Sequence, residues 1–198
     1  MPTTTKITKE LILDTALEIA REKGKEGISN RELAKRMNCS IRPIYYQFKN
    51  VEQLNNELKT IIEQYFYKYL LINSIPNIPP YKQIGINYIK FAREEKQLFK
   101  ILFMSKNEEA AKGFINSAKD EYGKMLKLIK LSTNLSNEEI ESFHTKMWIF
   151  THGIATLIAT DTINFTDEQI SKLLSFQFQA QMLLEENPNN KWVLNKEK

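Results

Sequence analysis

The sequence contains very little cysteine and glycine and no long apolar run. Cys39 is the only cysteine among 198 residues, which excludes a disulfide within one chain and a cysteine-only metal cluster. A lone cysteine suits a reducing cytoplasm, where we expect the protein to act. Every apolar run is interrupted before the roughly 20 residues that a membrane span needs, and the start MPTTTKITKE is too polar for a signal peptide. We therefore expect neither a membrane anchor nor an export signal.

The sequence signatures of common enzymes are also missing. It has no GxSxG turn, no Gly-rich phosphate loop and no HExxH helix, and six glycines are few for a cofactor cradle. His144 and His152 do not have the i, i+4 spacing of a helical zinc site, so a packing role is favoured over a metal role. We expect no catalytic residue, no cofactor and no metal.

Positive charge is concentrated in one short stretch. The net charge of +4 is by itself weak evidence for a polyanionic partner. Between Ser29 and Asn50, however, Glu32 is the only acidic residue beside five basic ones, Arg31, Lys35, Arg36, Arg42 and Lys49. This stretch is the expected nucleic-acid surface. A membrane surface is the alternative, but Glu10, Asp14, Glu18 and Glu22 on the first helix would be repelled by anionic lipid.

Apolar residues recur at helical spacing along the chain, and no alternating strand pattern is present, so we expect an all-α fold. Thr8 caps a first helix that ends near Gly24. The capping box Ser29-Asn-Arg-Glu32 starts a short second helix that runs to about Met37. Asn38 tolerates a left-handed backbone, which predicts a tight turn before the next helix.

A third helix is predicted over Ile41 to Phe48, with Ser40 as a candidate cap and Pro43 in its first turn. Ile44 and Phe48 face inward at i, i+4 spacing. The geometry is that of a recognition helix for the DNA major groove. Arg42 and Gln47 suit guanine and adenine edges, while Tyr45 and Lys49 suit phosphates. The full set of candidate DNA-binding residues is Ser29, Arg31, Ser40, Ile41, Arg42, Pro43, Tyr45, Tyr46, Gln47 and Lys49.

Five helices are predicted after a long helix that opens with the capping box Asn50-Val-Glu-Gln53 and ends before Pro76. They lie near Tyr81–Arg93, Glu95–Phe103, Glu108–Leu131, Asn137–Thr160 and Asp167–Glu185, the last two behind capping boxes that start at Ser136 and Thr166. We divide the chain into a DNA-binding domain (1–50), an effector and dimerisation domain (51–186) and a flexible tail (187–198).

The run GISNRELAKRMNCSIRPIYYQFKNVEQL resembles the helix-turn-helix signature of TetR-family regulators. The shared features are a hydroxyl residue, a Leu-Ala pair, a turn that ends in Ser, an apolar-Tyr-x-x-Phe string and a following Leu, and the resemblance spans residues 7 to 66. It implies that Ser29 and Tyr45 contact phosphate and that Phe48 lies in the core. Three departures are Asn38 for the usual turn glycine, Gln47 for a histidine and Val51 for a lysine. Lys49 is the nearest substitute for that lysine's phosphate contact.

The segment MWIFTHGIATLIA, preceded by FAREEKQLFKILF, resembles the TetR-like effector domains that carry a Trp and a His-Gly pair. The resemblance implies that the last two long helices pair with their symmetry mates in a four-helix bundle. Small residues on the first of these helices also favour a close helix contact. The candidate dimer residues are His152, Gly153, Thr156, Ala159, Thr160 and Phe176.

Aromatic and methionine residues of the C-terminal half are candidates for a ligand pocket: Phe91, Phe99, Phe103, Tyr122, Met125, Met147 and Trp148. Each of them also suits an ordinary core, and both interpretations stay open. Few charged residues interrupt these apolar faces, so the expected ligand is apolar or aromatic and of moderate size. Redox sensing by Cys39 is a lesser alternative, because nothing in its sequence surroundings favours a thiolate.

These observations predict a regulator of transcription that binds operator DNA as a homodimer. The resemblance implies that a small molecule controls it, and release from DNA, the commoner behaviour in the family, predicts a repressor of a palindromic operator. The alternative is a constitutive helical DNA-binding or interaction dimer without a ligand.

Overall fold

The computed structural model describes residues 7–72, 76–104 and 119–185, without the side chains of 119–122. Within these residues the chain forms nine α-helices, a 3-10 helix at Lys25–Gly27 and no strand, which confirms the all-α prediction. The helices are α1 (Lys9–Lys23), α2 (Asn30–Arg36), α3 (Arg42–Gln47), α4 (Val51–Leu70), α5 (Pro80–Glu94), α6 (Lys96–Phe103), α7 (Lys119–Ser132), α8 (Asn137–Ala159) and α9 (Asp167–Glu185).

Most of the predicted helix caps are present. Thr8 Oγ1 accepts a hydrogen bond from the Leu11 N–H (3.2 Å) at the start of α1. At the start of α8 the Ser136 hydroxyl and the Glu139 carboxylate each accept a backbone N–H of the other residue, which confirms that capping box. The box of Thr166 and Gln169 before α9 is also reciprocal. Local sequence therefore fixes where these helices begin.

Three predicted caps differ in detail. At the start of α4, the Gln53 side chain accepts from the Lys49 N–H and not from the Asn50 N–H that a capping box requires. Ser29 Oγ accepts from the Glu32 N–H (3.2 Å), but the Glu32 carboxylate contacts Lys23 and Arg36. Two cations within reach compete with the single backbone N–H that a capping box would offer. The prediction that Ser40 caps α3 is wrong, because the N-cap is Ile41, whose backbone is already helical and whose side chain makes no capping bond.

Contacts divide the chain into two compact units. In the described residues, unit 1 comprises 7–66 and 95–104, and unit 2 comprises 67–72, 76–94 and 119–185. The division along α4 falls after Phe66, whereas the sequence analysis placed it at Asn50. The difference arises because Leu54, Leu58 and Ile62 of α4 are buried with the core of unit 1.

Unit 1 is built around the apolar faces of α1 and α4. Its core contains Ile12, Ala16 and Ile19 of α1, Leu33 of α2, Ile44 and Phe48 of the α3 segment, and Leu54, Leu58 and Ile62 of α4. The helix α6 packs on α1. Phe103 of α6 lies 5.3 Å from Phe66 and 4.9 Å from Phe99 between ring centroids. Unit 1 therefore contains α6 in addition to the N-terminal helices α1 to α4.

Unit 2 is centred on the packing of α5 against α8, with α7 and α9 packed on both helices. Tyr81, Ile129, Ile140, Phe143 and Met147 form a buried cluster there. The Asn87 side chain donates to the carbonyls of Leu70 (2.9 Å) and Ile72 (2.8 Å) and so holds the C-terminal end of α4 against α5.

Parts of the sequence predictions lie outside the described residues. The helix expected over Glu108–Leu131 is described only as α7, from Lys119, and the expected tail at 187–198 is not described. None of the described helices is both long enough and apolar enough to cross a membrane.

Candidate nucleic-acid interface and effector cavity

The helix α3 has one buried side and one exposed side. Ile44 and Phe48 are 1% and 2% exposed, whereas Tyr45 and Tyr46 are 56% and 85% exposed. Lys9 Nζ lies 5.4 Å from the centroid of the Phe48 ring and covers it. The two apolar anchors fix the rotation of α3, so Arg42, Tyr45, Tyr46 and Gln47 face solvent as the sequence predicted.

The turn between α2 and α3 depends on one left-handed residue. Asn38 has φ of +48°, and the next N–H, that of Cys39, donates to the Ala34 carbonyl (3.0 Å) at the end of α2. Asparagine is one of the few residues with a side chain that adopts this conformation readily. The prediction that Asn38 adopts a left-handed backbone in this turn is confirmed.

Most of the basic side chains around α2 and α3 remain available to a polyanion. Arg31, Lys35, Arg42 and Lys49 are exposed. Arg36 is the exception, because its guanidinium contacts the carboxylates of Glu22 and Glu32. Hydrogen bonding to Arg36 lowers the pKa of Glu22 below its ordinary value, so this pair keeps its charges at neutral pH.

Ser29 has the geometry of a helix cap that can also donate to a ligand. Its hydroxyl oxygen accepts from the Glu32 N–H, which leaves the hydroxyl hydrogen free to donate. The residue is exposed at the N-terminus of α2. A phosphate oxygen placed there would accept that hydrogen.

A cavity of about 230 Å³ lies within unit 2. Its wall is formed by residues of α5, α7, α8 and α9 together with Leu70 and Pro79. The apolar and aromatic residues in the wall are Leu70, Ile84, Met125, Met147, Trp148, Leu174 and Phe178, and the polar or titratable ones are Tyr81, Lys82, Tyr88, Ser132, His144, Thr151, Ser175 and Gln179. At Gly85 an added Cβ would lie 3.2 Å from Leu174, so glycine permits the close approach of α5 and α9.

Two tyrosine–histidine pairs join α5 to α8 beside this cavity. The Tyr81 hydroxyl lies 2.8 Å from His144 Nδ1, and the Tyr88 hydroxyl lies 2.8 Å from His152 Nδ1. Burial lowers the pKa of His144 to about 4 and also lowers the pKa of His152. Both rings are therefore neutral at pH 7, and in each pair the tautomer decides which group donates.

Part of unit 1 matches a known protein family in sequence. Residues 12–58 match the family described as bacterial regulatory proteins, tetR family. That range contains the anchored recognition helix, the left-handed turn and the Ser29 cap. Residues 12–58 form a TetR-family DNA-binding domain. No curated protein matches the chain in sequence.

Solved structures extend the likeness in fold to most of the chain. A TetR-like transcriptional regulator from Rhodococcus sp. RHA1 superposes with a TM-score of 0.64 at 15% identity, over 88% of this chain and 94% of that one. A TetR-family transcriptional regulator from Haemophilus influenzae RD gives a TM-score of 0.58 at 18% identity, over 86% of this chain and 94% of that one. The chain thus has the fold of TetR-family transcriptional regulators.

Lys49 is the expected substitute for the lysine missing from the TetR-family pattern, and it lies close to the start of α4. Val51 is the first residue of α4, and Lys49 is exposed two residues earlier. The Gln53 side-chain oxygen accepts a hydrogen bond from the Lys49 backbone N–H (3.0 Å), and the Gln53 backbone N–H donates to Asn50 Oδ1 (2.8 Å). These bonds fix the backbone from which the Lys49 side chain projects.

The structure separates the candidate pocket residues into two groups. Met125, Met147 and Trp148 line the cavity. Phe91 is buried against Tyr69, Phe99 is buried against Phe103, and the partly buried Phe103 packs on Phe66, so none of the three belongs to the described cavity wall. Their apolar character was read correctly, but their helix faces point elsewhere. The side chain of Tyr122 lies outside the described residues.

The candidate dimer residues also separate by exposure. Gly153, Thr160 and Phe176 are exposed and Thr156 is partly exposed. Ala159 is 0% exposed, and His152 is turned toward Tyr88 and stacks on Trp148. These two residues face the interior of their own protomer, because positions 152 and 159 lie on the face of α8 that packs on α5.

Sequence reasoning missed most of the cavity wall, including Tyr81, Lys82 and Tyr88. One signal was present: tyrosines seven positions apart on α5 and histidines eight positions apart on α8 each mark one helix face. Only the packing of α5 on α8 shows that the two faces meet.

Proposed function

We propose that this protein is a homodimeric repressor that binds a palindromic operator and is released by a small, largely apolar effector. The observation that carries the proposal is the exposed, polar surface of α3 on an anchored helix within the TetR-family domain. Arg42 and Gln47 are exposed there and match the donor and acceptor patterns of bases in the major groove. Tyr45 and the exposed basic residues supply phosphate contacts.

An apolar face on α8 and α9 supports the homodimer. Ile149, Phe176 and Leu183 are 52%, 70% and 70% exposed, and an added Cβ at Gly153 would meet nothing within 4 Å. Phe176 and Leu183 share one face of α9, as Ile149 and Gly153 share one face of α8, and exposed apolar faces of this kind favour a protein interface. A two-fold dimer would present two recognition helices to half-sites about 34 Å apart, which accounts for a palindromic operator.

The cavity supports a small effector. An engineered apolar cavity of about 150 Å³ binds benzene, so 230 Å³ accommodates one ring with substituents or a short branched chain. Met125, Met147 and Trp148 give it an apolar and adaptable wall.

Helix α5 supplies a route from the effector to the DNA-binding domain. Its residues Tyr81, Ile84 and Tyr88 line the cavity, and its Asn87 holds the end of α4. Since α4 begins directly after the α3 segment, a movement of α5 would change the position of α4 and so the spacing of the recognition helices. A coupling of about 1–3 kcal/mol would change operator affinity by about 5–150-fold.

The DNA-binding proposal is tested with gel shifts of the full-length protein on its own upstream region at several salt concentrations. Affinity should fall with salt in proportion to the phosphates contacted, about 0.9 per phosphate in the logarithmic plot. Arg42→Ala should reduce discrimination between sequences, and Tyr45→Phe should weaken binding to all of them. Lys90→Ala, at an exposed position on α5, serves as the control. Absence of binding to every promoter fragment would refute the proposal.

The effector proposal is tested by titrating the operator complex with compounds that raise the melting temperature of the protein. A compound that occupies the cavity and weakens operator binding supports the switch. If every cavity ligand leaves operator affinity unchanged, those ligands bind both states equally and the protein is a constitutive DNA-binding dimer.

A further inference from the structure

Most polar side chains in the described cavity wall already form a hydrogen bond within the protein. Tyr81 and His144 share a hydrogen bond, and the Thr151 hydroxyl donates to the Met147 carbonyl (2.8 Å). The Ser132 hydroxyl likewise donates to the Leu128 carbonyl (3.0 Å). A ligand therefore meets an interior whose hydrogen-bonding capacity is already largely used, and apolar contact dominates there.

Lys82 is the one cation in the described wall of the cavity, and that part of the wall contains no aspartate or glutamate. The side chain is partly buried, and no acidic side chain in the described parts of the chain lies within ion-pair distance of it. Among the other partly buried lysines, Lys59 pairs with Glu63 and Lys146 with Glu185, whereas Lys100 has no acidic side chain of the described residues within ion-pair distance. Lys82 thus brings a positive charge to the cavity without an acidic partner from the protein.

Two further polar side chains in the wall are neutral and can donate hydrogen bonds. Ser175 and Gln179 lie one turn apart on α9, and Gln179 is exposed. Together with Lys82 they give the cavity wall one positive charge and neutral donors. A ligand carboxylate suits this part of the wall. Its negative charge is opposite to that of Lys82, and its oxygens accept several hydrogen bonds from the neutral donors.

We propose that the effector is an amphipathic carboxylic acid, bound as its carboxylate beside Lys82 with an aromatic or branched apolar body against Met125, Met147 and Trp148. This inference rests on the proposed function only in calling the ligand an effector. Which molecules the cavity binds does not depend on whether they control DNA binding. The volume of about 230 Å³ limits the apolar body to one ring or a short chain.

The experiment compares matched ligands that differ only in charge. Binding of 4-phenylbutyrate and of its neutral amide to the full-length protein is measured by calorimetry, with octanoate and octanamide as a second pair. The carboxylates should bind at least about tenfold more tightly than the amides, the ratio that one charge-assisted hydrogen bond supplies. Equal binding of acid and amide, or no binding of either acid, would overturn the proposal.

Substitution of the lysine makes the test specific. Lys82→Met should weaken carboxylate binding by about tenfold or more and leave amide binding within about twofold. Lys82→Glu should shift the preference to 4-phenylbutylamine. Lys90→Met, on the exposed side of the same helix, should change neither ligand, and the melting temperature of each ligand-free variant reports whether it is folded. Full carboxylate affinity in folded Lys82→Met would also overturn the proposal.

Operator titration separates this inference from the proposed function. If carboxylates bind in a Lys82-dependent manner but leave operator affinity unchanged, the ligand class stands and the ligand-controlled switch is refuted. If a neutral compound releases the operator while carboxylates do not bind, the switch stands and the ligand class is refuted.

Discussion

Replacing Asn87 by leucine removes the side chain that holds the end of α4 to α5. Asn87 is 6% exposed and takes part in three hydrogen bonds: it donates to the carbonyls of Leu70 and Ile72 and accepts from Gln83 Nε2 (2.9 Å). Leucine has a similar volume but no polar atom. The substitution therefore removes all three hydrogen bonds while largely preserving the packing.

The cost follows from the surroundings of the groups that lose a partner. A neutral hydrogen bond contributes about 0.5–1.5 kcal/mol, and a buried group left without a partner costs about 1–3 kcal/mol. The bonds to Leu70 and Gln83 are buried, whereas the bond to Ile72 is partly buried and water can replace it. We expect Asn87→Leu to lower the free energy of unfolding by about 2–4 kcal/mol.

Urea unfolding monitored by circular dichroism measures this change. Lys90→Met at an exposed site on α5 serves as the control and should cost less than about 0.5 kcal/mol. A value for Asn87→Leu within about 0.5 kcal/mol of the wild type would refute the assigned role of this side chain. Operator titration of the same variant adds a second check: if the effector still acts with full coupling, the signal does not pass through Asn87.

Three further predictions follow from burial and open space. Gly153→Trp should give a folded monomer in analytical ultracentrifugation, because an added Cβ meets nothing within 4 Å in the protomer; a dimer of unchanged affinity would contradict this. Because the pKa of His144 falls from 6.5 to about 4 on burial, its neutral form stabilises the fold fully above pH 6.5, and about 3 kcal/mol is lost as the pH falls to about 4. In His144→Phe the urea concentration at the unfolding midpoint should depend less on pH between pH 6.5 and 5 than in the wild type. An unchanged pH dependence would refute this assignment. Phe99→Ala should cost about 3–5 kcal/mol of stability but leave ligand affinity unchanged in calorimetry, since Phe99 lies in the core of unit 1 and not at the cavity.

Helix α3 and the turn before it could be predicted from sequence because their determinants are local. Ser29 caps α2 within three residues, Asn38 sets the turn by its own backbone preference, and Ile44 and Phe48 lie on one face by helical periodicity. The engagement of Arg36 could not be predicted in this way. Its partner Glu22 is on α1, and only the packing of α1 brings the two side chains together.

The cavity could not be predicted because apolar periodicity does not say what a helix face meets. Phe99 and Met147 carry the same kind of signal in the sequence, but α6 packs on α1 whereas α8 packs on α5. The expected apolar character of the wall agrees with Met125, Met147 and Trp148. Lys82 was missed since a single lysine in a first helical turn has no sequence feature that distinguishes it from a solvated residue.

Helix α5 connects the cavity with the end of α4, whose last residue Leu70 also lines the cavity. Ile84 and Tyr88 line the cavity, while Asn87, on an adjacent part of the helix surface, holds the carbonyls of Leu70 and Ile72. A helix of 15 residues moves largely as one body, so a ligand that displaces Ile84 also displaces Asn87. The contact of Gly85 with Leu174 limits movement toward α9, because the backbone of α5 is already close to that side chain. Under the proposed switch, a ligand that displaced α5 would move it away from α9 or along its axis, and the hydrogen bonds at the end of α4 would then shift with it.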